Sequence, residues 1–144
     1  MKITGLQQVT TTLKAIAEPM RLRILHALQQ GEWCVCELVY ALEVPQSTLS
    51  THLQVLRQAG LVAIRQCGKW IYYRLHPQGV VPVDVLLTML QSNLSMDPRI
   101  ARDTARLQQC LQYRVEDCCV MGFRFAPIQN EGGDDSCGPA NCCG

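Results

Sequence analysis

Nine cysteines stand in a chain of 144 residues, at positions 34, 36, 67, 110, 118, 119, 137, 142 and 143. The number is odd, so an intrachain disulfide framework leaves one over. No stretch approaches the roughly 18–20 apolar residues of a membrane span. No apolar run follows Lys2 in the opening MKITGLQQ, as a secretory signal would require. The expected compartment is therefore the cytoplasm, with no membrane partner. There, thiols more often bind metal or do redox chemistry than form cross-links. Cys118-Cys119 is a vicinal pair just beyond a helical pattern, an arrangement rare by chance. Cys34 and Cys36 are two residues apart, and on a straight α-helix such positions point roughly 200° apart. Joint chelation by this pair needs Cys34 to precede the first helical turn, or needs that turn to unwind. Cys110 falls among helix residues and reads equally well as a small buried hydrophobe. Cys137, Cys142 and Cys143 lie in a Gly-rich tail that costs ordering entropy to engage.

Enzyme chemistry finds little support. There is no CxxC, P-loop, dinucleotide fingerprint or nucleophile elbow, and His26, His52 and His76 sit near no nucleophile motif. No catalytic residue and no organic cofactor are expected.

A second constellation is Gln46, Ser47, Thr48, Ser50, Thr51 and His52. These hydrogen-bonding side chains suit base edges and phosphates, and the core needs none of them. The net charge of the chain is only +1. Residues 1–76, however, carry eight Lys/Arg against four acids, and residues 77–144 carry five against eight. Between 47 and 76 there are four basic residues and no acid, a local footprint suited to nucleic acid. Taken singly, each feature suits a solvated helix face. Together they favour DNA.

The elements that must hold these residues follow from periodicity. Leu6, Val9, Leu13 and Ile16 make one helical stripe. Pro19 opens a second helix to about Gln30, with Met20, Ile24 and Leu28 inward. A short third helix places Val35, Leu38, Val39 and Leu42 on one face, and Glu43-Val44-Pro45 breaks it. A fourth, from Gln46 or Ser47, buries Leu49, Leu53 and Leu56 and ends at Ala59-Gly60. Leu61–Gln66 and Trp70–Leu75 read as a β-hairpin turning at Cys67-Gly68-Lys69. A continuous helical period returns from Val83 through Leu94. Asp97-Pro98 then opens a last helix with Ile100, Thr104, Leu107 and Leu111 aligned. The predicted fold is mainly α with a β-hairpin wing: a winged helix-turn-helix. Residues 1–94 form the DNA-binding and dimerisation domain, 95–125 a C-terminal helix with its Cys pair, and 126–144 a flexible tail. In this fold the polar end of the fourth helix enters the major groove and Lys69 reaches the flanking backbone.

The strings AEPMRLRILHAL, EWCVCELVYAL, PQSTLSTHLQVLRQAGLV and RQCGKWIYYRL, spanning about residues 9–76, resemble the ArsR/SmtB metalloregulatory repressors. The resemblance implies a homodimer that leaves operator DNA when a metal or metalloid binds. It assigns DNA contact to Gln46, Ser47, Ser50, Thr51 and His52, and dimerisation to the first helix and the one from Val83. The CVC at 34–36 is similar to the inducer site of arsenic, antimony, cadmium and lead sensors, and thiolates are soft ligands for such ions. The expected inducer is As(III) or Sb(III), held by Cys34 and Cys36 with Cys118 or Cys119. A Cys110/Cys118/Cys119 site is the runner-up. Cd(II)/Pb(II) or thiol-redox sensing is the alternative function. The arsenic-type motif commonly reads CVCxxC, and its third thiol position is Val39 here. No cysteine precedes residue 34, which weakens the Cd(II) reading, and no His lies in the helix from Val83, which weakens a Zn(II) one.

Overall fold

The computed structural model describes residues 5–67 and 70–114. Lys69, Cys118, Cys119 and the segment 126–144 lie outside the described residues, as does the side chain of Cys67. The chain order is α1 (Gly5–Ile16), α2 (Pro19–Gln30), β1 (Trp33–Cys34), α3 (Val35–Leu42), α4 (Gln46–Gln58), β2 (Val62–Cys67), β3 (Trp70–Leu75), α5 (Val83–Met89), α6 (Gln91–Leu94) and α7 (Pro98–Tyr113).

Local chemistry sets most of these boundaries. Glu18 caps α2 by accepting from the Arg21 N–H at 2.8 Å, and Pro19 follows where a missing N–H is harmless. Asp97 and Pro98 do the same for α7. Gly60, at φ 75°, takes the left-handed turn that ends α4. Glu43 adopts φ 52° at the end of α3 and turns the chain into α4, giving the helix-turn-helix its tight corner. β2 and β3 pair antiparallel from Val62↔Leu75 to Cys67↔Trp70, forming the expected hairpin.

Leu25, Leu38, Leu53, Leu56, Trp33 and Tyr72 are fully buried at the centre of one core. Each contributes about 1.5–3 kcal/mol of hydrophobic stabilisation. Leu107 and Cys110 belong to the same core, so α7 packs with the winged part of the chain.

Four details differ from expectation. β1 is a third strand, pairing Trp33↔Tyr73 and Cys34↔Tyr72. Two residues are too short to show a period, so only tertiary pairing reveals it. On α3, Val35 and Val39 are only half-buried, and the inward face is Cys36, Glu37, Leu38, Ala41 and Leu42. The helix after Val83 breaks at Leu90, whose N–H is shared between the Leu86 and Leu87 carbonyls. Lastly, α7 buries Ile100, Asp103, Leu107 and Cys110, whereas Leu111 is 43% exposed. The cause of that rotation is polar. Arg23 donates to both Asp103 carboxylate oxygens at 2.8 Å and to the Leu42 carbonyl at 2.9 Å, so a charged residue is drawn inward.

His26 is buried beside Gln30, and burial lowers its pKa despite the nearby Asp103 charge. A depressed pKa means the unfolded chain binds the proton more readily. The stability linked to neutral His26 is complete above the unfolded value of about 6.5 and shrinks as pH falls below it. The melting temperature should therefore fall between pH 7.5 and 5.5, and less steeply in His26→Gln. An equal slope in that variant would assign the loss to other groups.

Candidate functional site

Cys34 ends β1 and is the residue before the first turn of α3, with extended backbone at φ −79° and ψ 163°. Of the two arrangements compatible with chelation, this is the first: the helix starts after Cys34. The Cys34 and Cys36 sulfurs lie 2.8 Å apart, and both residues are buried. Glu37, fully buried, accepts from the Cys34 N–H at 3.0 Å and so caps α3.

Arg114 reaches this cap from the end of α7. It donates to both Glu37 carboxylate oxygens at 2.8 Å and to the Glu32 carbonyl at 2.7 Å. Its guanidinium lies 4.9 Å from the Trp33 ring centroid. Burial works against its charge, but the Glu37 hydrogen bonds and charge outweigh that, with smaller help from Tyr72 and Cys34. Its pKa is raised. A buried ion pair thus clamps the end of α7 onto the thiol-bearing segment. Cys110 is also buried, its thiol 3.9 Å from the Glu37 carbonyl oxygen. Among the described residues, no three His, Cys, Asp or Glu side chains form a group suited to a metal ion.

The second surface is α4. Gln46, Ser47, Thr48, Ser50 and Thr51 are all exposed, while Leu49, Leu53 and Leu56 face the core. The helix has no side-chain cap and no acid in its first turn, which leaves its positive dipole end suited to phosphate. His52 is half-buried instead. Its Nδ1 lies 3.5 Å from an Arg21 nitrogen and 3.8 Å from a Glu18 oxygen. Arg65 is bound to Glu32 and lies over the Tyr72 ring, so it adds little to the outward charge. Arg57 and Arg74 are exposed.

Sequence reasoning missed β1 and the Arg114–Glu37 clamp, whereas Cys110 is the buried helix residue that its surroundings suggested. One signal was present for Glu37: an acid three residues after a helix N-cap. Arg114 had none, because its partner is 77 residues away.

Residues 18–63 match the family described as bacterial regulatory protein, arsR family. Over 75 residues the chain is 47% identical to the arsenic resistance transcriptional regulator ArsR1 of Pseudomonas putida, covering 51% of this chain and 59% of that protein. Over 76 residues it is 41% identical to the arsenical resistance operon repressor of Bacillus subtilis, covering 52% and 72%. The chain belongs to the ArsR/SmtB family of transcriptional regulators. Its match spans less than two thirds of the length of the Pseudomonas relative. Among solved structures it resembles the homodimeric winged helix-turn-helix DNA-binding domain of Mb0332 from Mycobacterium bovis. There the TM-score is 0.56 at 36% identity, covering 62% of this chain and 81% of that one. The winged helix-turn-helix fold of the ArsR/SmtB family is therefore present. The family match includes Cys34, Cys36 and the polar end of α4, and ends before α7.

Proposed function

We propose that this ArsR/SmtB regulator is a cytoplasmic, homodimeric repressor of a metal(loid)-resistance operon. As(III) or Sb(III) bound to Cys34 and Cys36 releases it from operator DNA. The observation that carries the reading is the pair of buried sulfurs 2.8 Å apart at the start of α3, the helix packed against α4. Each protein thiol displaces one arsenite hydroxyl, and the thiol proton leaves with that hydroxyl as one water for each As–S bond formed.

Cys118 or Cys119 is the third thiolate in this reading. They follow Arg114 by four and five residues. Four extended residues reach up to about 14 Å, and Arg114 already lies against Glu37 beside Cys34. Closing a trithiolate site pulls on the residues after Arg114 and so on the clamp at the α3 N-terminus. Two arrangements of that clamp, biased by inducer, are what an allosteric release needs.

Gln46, Ser47, Ser50, Thr51 and His52 read the operator in this proposal, and Lys69 contacts its backbone. Leu6 (79% exposed), Leu13 (46%), Val85 (56%) and Met89 (77%) supply the dimer surface. The homodimeric Mb0332 neighbour supports a dimer.

The test is a two-fold symmetric operator selected from random DNA and followed by fluorescence anisotropy with all thiols reduced. Two protomers should bind each site, and affinity should fall steeply with salt. Ser50→Ala or Thr51→Ala should relax sequence preference, while Lys69→Ala should weaken all sequences alike and lower the salt slope by about one. Arsenite should release the DNA. Release by Cd²⁺ with no arsenite response would favour the Cd(II)/Pb(II) alternative, and release by diamide alone would favour thiol redox. One protomer per site would sink the dimer.

A further inference from the structure

The helix-turn-helix corner lies between Leu42, the last residue of α3, and Gln46, the first of α4. The angle of α4, and with it the pose of its polar end, is set at this corner. A helix ends in four carbonyls that have no partner within it. In α3 two of these four are taken by guanidinium groups from other elements. Arg106 of α7 donates to the Tyr40 carbonyl at 3.0 Å, and Arg23 of α2 donates to the Leu42 carbonyl at 2.9 Å. Cations there also suit the negative end of the helix dipole. Arg23 is held in turn by Asp103, three residues before Arg106 on the same face of α7.

Glu43 is the strained residue of the corner. Its φ of 52° is left-handed, and among the described residues no other side chain outside glycine adopts a positive φ. Such a conformation persists where the surroundings enforce it. Arg106 supplies that enforcement. It pairs with the Glu43 carboxylate at 3.2 Å, grips the carbonyl three residues earlier, and lies 4.2 Å from the Tyr40 ring centroid. The Tyr40 hydroxyl donates to Gln109 of α7 at 2.7 Å. The ion pair alone is worth little, since the Glu43 side chain is 52% exposed. Close packing does not replace it either. Cys36, Val39, Tyr40, Val44 and Pro45 wall an open cleft of about 550 Å³ beside Arg106, and the cleft runs to Gln46. On this side the corner is braced by a side chain rather than by packed apolar groups.

We propose that Arg106 is a positioning residue for operator recognition. From α7 it holds the left-handed turn at Glu43, and so the angle at which α4 presents Gln46, Ser47, Ser50 and Thr51. This rests on the reading of α4 as the recognition helix. Arg106 acts through the turn and touches neither base nor phosphate. Hydrogen bonds to base edges fail with small changes of distance and angle, whereas attraction to phosphate falls slowly with distance. A loosened corner therefore weakens specific binding more than non-specific binding.

The experiment measures the affinity of the reduced full chain for the selected operator and for a random duplex of equal length, by anisotropy over a range of salt. Arg106→Ala should lower operator affinity about tenfold and change random-duplex affinity by less than about twofold. The salt slope on the operator should stay that of the unmodified chain. Arg106→Lys keeps a charge and a donor and should fall between the two. Asparagine adopts left-handed backbone more readily than glutamate. In a Glu43→Asn background, Arg106→Ala should therefore lower the operator preference by less than about threefold. Equal loss on both duplexes overturns the proposal, because partial unfolding lowers both alike. A salt slope reduced by about one also overturns it, since Arg106 would then be a phosphate contact. So does a tenfold loss of preference that persists with Glu43→Asn. An unmodified chain that prefers no duplex over another would overturn the reading of α4 itself, and this proposal with it.

Discussion

Cys34→Ser should keep the fold and operator binding yet lose at least about a hundredfold in arsenite affinity, some 2.7 kcal/mol. The stability half of that expectation comes from position. Cys34 occupies the N-cap of α3 with extended backbone, and its side chain shares a capping box with Glu37. Serine is among the preferred residues at an N-cap, so its hydroxyl is accommodated where it is useful. The affinity half comes from chemistry, because a hydroxyl is a poor ligand for a soft centre. Cys36→Ser should lose the same response at a cost of about 1 kcal/mol, since it buries a hydroxyl on the core side of α3. Cys118→Ser and Cys119→Ser should each weaken the response modestly, because the neighbouring thiol substitutes, and the double variant should be much worse than either. Urea denaturation and arsenite-induced loss of operator anisotropy measure the two halves separately. A full arsenite response in Cys34→Ser would move the inducer site away from the CVC motif, toward Cys110, Cys118 and Cys119.

Removing one side chain of the clamp should produce the largest stability loss in the molecule. Arg114→Ala leaves Glu37 buried, 0% exposed, without its bidentate partner. Breaking a buried pair this way typically costs about 3–5 kcal/mol, since the remaining charge has neither water nor a counter-ion. That approaches the whole stability of a marginal domain. Glu37→Gln in the Arg114→Ala background should recover part of the loss, because a neutral amide oxygen still accepts from the Cys34 N–H without the unpaired charge. A double-mutant cycle from urea unfolding isolates the coupling. A loss below about 1 kcal/mol for Arg114→Ala would mean that water reaches Glu37 and that the clamp is a surface ion pair.

The winged helix-turn-helix was legible in the residues because its signals are local. Pro19 and Asp97-Pro98 mark helix starts, Leu49, Leu53 and Leu56 recur at helical spacing, and branched and aromatic residues mark the hairpin. Each depends on contacts within one turn or one strand, so a single sequence carries it. The exposed polar end of α4 was legible for the same reason. Side chains not needed by the core stand out against a regular apolar period. The thiols were visible as residue types, and the geometric conflict between Cys34 and Cys36 was visible too.

How that conflict resolves was decided by tertiary structure. Pairing of Trp33 and Cys34 with Tyr73 and Tyr72 holds Cys34 in extended backbone, which starts α3 one residue later and brings the two sulfurs together. The partner strand lies about 40 residues away in sequence, and no local pattern announces it. The face of α7 was decided the same way. Apolar spacing favours Thr104 and Leu111, but Arg23 draws Asp103 inward from 80 residues away, and Cys110 turns in with it. Val39 shows the limit most clearly. The sequence alone marks it as a departure from a thiol motif. Its place on the wall of a cleft beside Cys36 depends on α7 and the α3–α4 turn arriving at the same point. Residue types and periods are written in neighbouring positions, whereas clefts and buried ion pairs arise from segments that meet only when the chain is folded.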